Sequence, residues 1–191
     1  MKGAEEVTMT TYVVLVRGIN VGSSTLVPML DFQRVLEQAG FTSVKTLLRS
    51  GNAVADTAAL VSPGDVAALE NRFAEATGVS ARFVVLEASE FVDVVQENPL
   101  VGLSDDPSRL LISFLDGAAP AASSIEFPDA DGLLPEVVRL GRRAVYAWCP
   151  NGVSKSAIPP RFWKQFGPAA TTRNANTVNK LVSLVLPRLE G

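Results

Sequence analysis

The stretch Tyr12–Val27, YVVLVRGINVGSSTLV, changes character in a single step. Val13, Val14, Leu15 and Val16 form a continuous, largely β-branched run, the pattern of a strand covered on both faces at the centre of a sheet. Arg17 then stands at the carboxyl end of that strand, and Gly18-Ile19-Asn20-Val21-Gly22 follows as a loop. Gly18 and Gly22 tolerate positive φ and close backbone approach, and asparagine is enriched among the non-glycine residues found there. Consecutive N–H groups in such a loop can converge on an anion. A plain tight turn needs the same residues.

Outward from this run, Pro28-Met29 opens a helical pattern with Leu30, Phe32, Val35, Leu36 and Ala39 on one side, stopped by Gly40. Strands over 44–49 and 53–56 flank a turn at Ser50-Gly51-Asn52. Ser62-Pro63-Gly64-Asp65 starts a second helix, closed by Gly78, and 81–86 is the next strand. The order β-α-β-β-α-β is that of a ferredoxin-like sheet with both helices on one face. A helix over 87–96 and a loop from Asn98-Pro99 to Ser108 separate this half, residues 9–98, from a second, residues 108–189. There a strand over 110–115, a weak helix or loop over 120–127 and a hairpin of 137–140 with 144–148 lead to a helix over 161–166, a closing strand over 169–172 and a final helix over 174–189. The expected fold is therefore α+β, two ferredoxin-like halves with a C-terminal helix, although no internal sequence repeat is visible.

Composition limits the function. With 191 residues, 47% hydrophobic and only 19% charged, the chain can build a real core, and a net charge of −3 gives no global field to draw it to nucleic acid or to anionic membrane. The single cysteine, Cys149, excludes an intrachain disulfide. The absence of histidine removes the commonest metal ligand and the default neutral-pH base, so neither a metal nor a cofactor is expected. The opening residues before Met9 carry acids and no apolar segment, which suits a frayed extension rather than a signal peptide. No run is long and apolar enough to span a membrane, and a cytoplasmic protein is the simplest expectation.

Chemistry-bearing residues lie in polar loops. Ala170-Thr171-Thr172-Arg173-Asn174-Ala175-Asn176-Thr177 enters the last helix, where a basic residue beside free N–H groups makes sense if an anion or a protein carboxylate lies between them. Cys149-Pro150-Asn151-Gly152-Val153-Ser154-Lys155-Ser156 leaves the Trp148 strand; Cys149 reads as a small buried apolar residue, with no histidine to activate it. Neither a P-loop nor a dinucleotide fingerprint is present. Asp105-Asp106 and Asp129-Asp131 are turn residues rather than metal ligands.

These motifs together resemble the bacterial family known as domain of unknown function 1697. The residues that carry the resemblance are Arg17-Gly18-Ile19-Asn20-Val21-Gly22 with Pro28-Met29, Ser50-Gly51-Asn52, Pro150-Asn151-Gly152 with Ser156, and Ala170-Thr171-Thr172-Arg173-Asn174 with Asn176-Thr177 and Lys180. The chain departs from the pattern at Ser23, Leu26-Val27, Ala157 and Ala175. The resemblance implies two ferredoxin-like halves and no particular activity. The leading expectation is a small phosphate- or nucleotide-like ligand where the motif loops meet, with Arg17 and Arg173 as charge clamps and Asn20, Asn52 and Asn151 as hydrogen-bond donors. Gly22, Lys155, Asn174 and Lys180 complete the candidate set. The alternative is structural: a buried polar network in a protein-interaction module. A single-strand nucleic-acid binder is third, because the strands offer few aromatics for stacking. Edge strands leave a homo-oligomer open.

Overall fold

The computed structural model describes residues 8–21 and 25–190, so that the N-terminal extension before Met9 lies largely outside the described residues. Two compact units divide the chain, Met1–Ser89 with Leu184–Gly191, and Glu90–Ser183.

The first unit runs β1 (Thr10–Arg17), α1 (Met29–Gln38), β2 (Thr42–Leu47), β3 (Asn52–Thr57), α2 (Pro63–Thr77) and β4 (Arg82–Glu87). Its strands lie in the order β2-β3-β1-β4, every neighbouring pair antiparallel. The apolar run of β1 is buried throughout, as a central strand covered on both faces requires. Tyr12, Val14 and Val16 meet the helices through Phe32, Val35 and Leu36 of α1 and Leu69 and Phe73 of α2. Phe32, Phe73 and Phe83 close this core as a set of edge-on and tilted rings. Helix α2 starts where the sequence says it should: Ser62 and Asp65 form a reciprocal capping box around Pro63, and Gly78 ends the helix at φ 71°. Arg188, near the end of the chain, bonds Asp56 Oδ1 at 3.0 Å and the Ser43 carbonyl at 2.9 Å.

The turn between β2 and β3 comes earlier than the sequence suggests. Strand β2 ends at Leu47, the turn is Leu48–Gly51, and Asn52 already pairs with Leu47. Leu48 at φ 58° and Gly51 at φ 78° bend the chain, and the Asn52 amide donates to Leu47 O at 2.8 Å and Ser50 Oγ at 3.0 Å, closing the turn from inside.

The second unit contains α3 (Ala88–Gln96) from Glu90 on, β5 (Leu110–Phe114), α4 (Ala130–Leu133), β6 (Val137–Leu140), β7 (Ala144–Trp148), α5 (Pro160–Lys164), β8 (Thr171–Asn174) and α6 (Ala175–Leu189) as far as Ser183. The strand order β6-β7-β5-β8 repeats that of the first sheet, again fully antiparallel. Val145, Ala147 and Leu111 pack on one face against Leu133, Phe162 and Phe166 of the crossovers. On the other face Phe114 stacks on Phe91 of α3 with ring centroids 5.3 Å apart, and the Tyr146 hydroxyl donates to Val94 O at 2.6 Å. Two boundaries differ from expectation. The first crossover keeps only a 3-10 turn at Ala122–Ser124, and its helix forms later, at Ala130, where Asp129 caps Gly132 N after Pro128. Strand β8 begins at Thr171, beyond the Gly167-Pro168 turn, so Arg173 is a strand residue rather than part of the helix cap.

Burial foremost, with the negative charge of Glu97, pushes the Tyr146 phenol up to about 12 from its ordinary 10.0 against the opposing charge of Arg142. Folding thus holds this proton more tightly. The resulting stabilisation is complete below about pH 10, where an unfolded tyrosine titrates, and is lost as the pH rises through about 12. Urea melts across the alkaline range should show this decline in the native sequence and a shallower one in Tyr146→Phe. That variant also loses roughly 1 kcal/mol at neutral pH with its hydrogen bond.

Candidate functional site

The first unit brings two motif loops together at the carboxyl end of β1. Arg17, the last residue of the strand, is exposed and lies opposite Arg82 of β4, whose guanidinium is drawn to Glu70 at 2.7 Å. The chain then turns through Asn20 at φ 55°, a conformation asparagine adopts at modest cost. Its side chain makes three bonds. Oδ1 accepts from Val27 N at 2.9 Å, and Nδ2 donates to Val27 O at 3.1 Å and to Arg49 O at 2.5 Å. One amide therefore pins both ends of the loop and fastens it to the β2–β3 turn. A backbone bond from Val16 N to Gly51 O at 2.8 Å adds to the fastening.

Gly51 is required at this seam for reasons of space as well as conformation. A Cβ there would stand 2.8 Å from Val16 Cβ and from Ile19 Cδ1. Asn52 is fully buried. The Asn20 amide thus bonds its own loop and the β2–β3 turn, while the Asn52 amide closes that turn from within. Gly22, the remaining candidate of this loop, lies outside the described residues.

In the second unit Arg173 is 9% exposed, and burial lowers its guanidinium to about 10. Its Nη1 donates to Thr171 Oγ1 at 2.8 Å and to Thr172 O at 2.9 Å. Asn174 ends β8 and caps α6, its Oδ1 accepting from Thr177 N at 3.1 Å. Asn151 lies exposed after β7, Lys155 is exposed at the end of a 3-10 turn (Val153–Lys155), and Lys180 is exposed on α6.

The same unit holds a polar cluster around a residue the sequence does not single out. Glu136 is 5% exposed. Its Oε2 accepts from Ser156 Oγ at 2.6 Å and lies 3.7 Å from Cys149 Sγ, while Oε1 accepts from Ala157 N at 2.8 Å. Burial foremost raises the Cys149 thiol; Ser156 opposes the shift and Glu136 adds to it. Cys149 is accordingly a protonated, buried group with poor nucleophilic character. Ser156 belongs to a quoted motif, but Glu136 reads as an ordinary acid before a strand. Among the described residues no group of three or more acidic, cysteine or histidine side chains is placed to hold a metal, and no helix is long and apolar enough to cross a membrane.

Three comparisons set this architecture among known proteins. The sequence profile of a family described as protein of unknown function (DUF1697) matches residues 9–146. No curated protein matches the chain. A solved structure of a conserved bacterial protein from Streptococcus pneumoniae superposes with a TM-score of 0.67 over 93% of this chain and 99% of the other, at 23% identity, a likeness of fold.

Replacing Asn20 separates its two contributions. Asn20→Ala loses the amide bonds and places an alanine at positive φ, whereas Asn20→Gly loses the same bonds without the conformational penalty. Equilibrium denaturation should show Asn20→Ala destabilised by roughly 2–4 kcal/mol and Asn20→Gly by about 1 kcal/mol less. Equal losses would mean that the turn conformation carries none of the effect.

Proposed function

We propose, for a chain that belongs to the DUF1697 family of proteins of unknown function, a protein-interaction module whose contact surface is the tip fastened by Asn20. One observation carries this reading. Asn20 adjoins Val21, while Val27 and Arg49, the two residues its amide bonds, adjoin Leu26 and Leu48; these three neighbours are 73%, 56% and 46% exposed. Single exposed apolar residues are ordinary on any surface, whereas three large ones next in sequence to residues joined by one side chain are the contact this reading assigns to a partner. The tie also removes much of the loop ordering that binding would otherwise require. Arg49 is exposed at the same tip. A partner segment with apolar side chains and carboxylates matches this chemistry.

A photo-crosslinking amino acid placed at Val21, Leu26 or Leu48 should yield one defined adduct in an extract of the native host. The same group at the exposed Val153 of the second unit should not. The adduct at Val21 should disappear in Leu48→Asp. Equal labelling from all four positions, or none, would sink the proposal.

A phosphate-like anion remains a second reading, favoured by Arg173. This buried cation lies two positions before the first residue of α6, where the helix N-terminus adds to its positive field. Its test is thermal denaturation with phosphates, nucleotides and sugar phosphates. A ligand at about 100 times its Kd should add roughly 2.7 kcal/mol to the native protein and nothing to folded Arg173→Ala. A flat response across the panel ends this reading.

A further inference from the structure

Each sheet has two edge strands, β2 and β4 in the first unit and β6 and β8 in the second. An edge strand offers unpaired N–H and C=O groups to any other extended chain. Three of the four are guarded by a side chain that a second partner holds in place. On β2 the register shifts between Thr42 and Lys45, and Arg188 bonds Ser43 O at 2.9 Å while paired with Asp56. On β4, Glu70 of α2 accepts from Phe83 N at 2.9 Å and bonds Arg82 as well. On β8 the buried Arg173 donates to Thr172 O and to Thr171 Oγ1. Strand β6 is guarded less firmly. Gly141 N bonds Ala144 O at 2.8 Å at the turn end of the β6–β7 ladder, which fixes the alternation: Val137 and Arg139 turn their backbone groups to β7, Val138 and Leu140 theirs to the free edge. Arg139 Nη1 donates to the outward Val138 O at 2.8 Å, but Arg139 is exposed and makes no ion pair among the described residues.

A cavity of about 260 Å³ adjoins this same edge, with Phe127, Leu133, Leu134 and Val138 in its walls. Val138 packs on the face of its sheet that meets Leu133. A residue added opposite Val138 shares that face, so its side chain is directed to the cavity, while the next residue of the added strand lies on the Arg139 side. We propose that β6 receives an extended peptide segment of another protein as a fifth strand, with one apolar side chain of the segment in the cavity and a neighbouring carboxylate on Arg139. The incoming N–H takes the Val138 O that the guanidinium now occupies, and the carboxylate meets the charge so released. Main-chain pairing supplies affinity in such strand addition, and pockets for alternate side chains supply specificity. The volume lies below the roughly 300–1,000 Å³ of drug-sized sites, which suits a single large side chain. A second copy of this chain fits worse. Its own Val138 and Leu140 are already packed in its core, and setting Val138 opposite Leu140 of the copy would bring Arg139 against Arg139. This edge is in the second unit and independent of the Asn20 tip.

The probe is the end-capped hexapeptide TVFEVT, titrated into the full chain and followed by the amide shifts of Val138, Leu140 and Phe83. Saturable shifts are expected at Val138 and Leu140 and none at Phe83, whose N–H Glu70 already holds. Methylating the phenylalanine nitrogen of the peptide removes the N–H meant for Val138 O and should weaken binding about tenfold, as should alanine in place of that phenylalanine. Lysine in place of the glutamate should weaken it further than glutamine does. Leu140→Pro deletes an outward N–H that the native ladder does not use, and Ala130→Trp fills the cavity from an exposed position of its wall; each should abolish binding. No saturable binding, pairing of two copies in place of the peptide, shifts at Phe83 equal to those at Val138, or an affinity indifferent to N-methylation would overturn the proposal, whether or not Leu140→Pro folds.

Discussion

A backbone that leaves the middle of a buried sheet must find partners at once for the N–H and C=O groups it no longer pairs. At the end of β1 the Asn20 side chain meets much of that demand. It offers a donor and an acceptor to the two faces of one peptide segment at Val27 and a second donor to Arg49. The following loop is held by it, and the β2–β3 turn is fastened by it together with the Val16 N to Gly51 O bond. Asparagine suits the task because its short amide can serve the backbone in this way and because it tolerates the left-handed conformation found here.

The two sheets share a strand order but place their polar residues differently. In the first unit, polar side chains concentrate where the central strand ends, and they organise backbone. In the second, Arg173 and Glu136 carry charge into buried surroundings. Arg173 bonds the Thr171 hydroxyl and the Thr172 carbonyl, and Glu136 bonds Ser156 and Ala157. The resemblance in topology therefore does not extend to a resemblance in sites, as expected when function is carried by side chains grafted onto a common scaffold.

Most of the fold was legible because its elements are bounded by strong local signals. The Val13–Val16 run, the Ser62-Pro63-Gly64-Asp65 cap and the Gly78 stop each act through neighbours in sequence. Boundaries shifted where the deciding contact is less local or prolines compete: Asn52 closes its turn by reaching back to Leu47, and the crossover helix waits until Asp129, after Pro128. Asn20 and Asn52 stand out in the sequence as loop asparagines, yet their residue types do not reveal that both amides bond backbone. Glu136 left no sequence signal, since its partners Ser156 and Ala157 lie 20 and 21 positions further on.

The contact of Arg188 with Asp56 spans 132 positions of the chain. During synthesis, at roughly 5–20 residues per second, Asp56 leaves the ribosome on the order of ten seconds before its partner is made. The first sheet, with Thr11 already bonded to Asp56, can assemble in that interval, and the whole of the second unit is translated within it, but Asp56 and the Ser43 carbonyl gain Arg188 only when its turn of α6 is made. The first unit therefore gains this fastening only after the whole of the second unit has been translated.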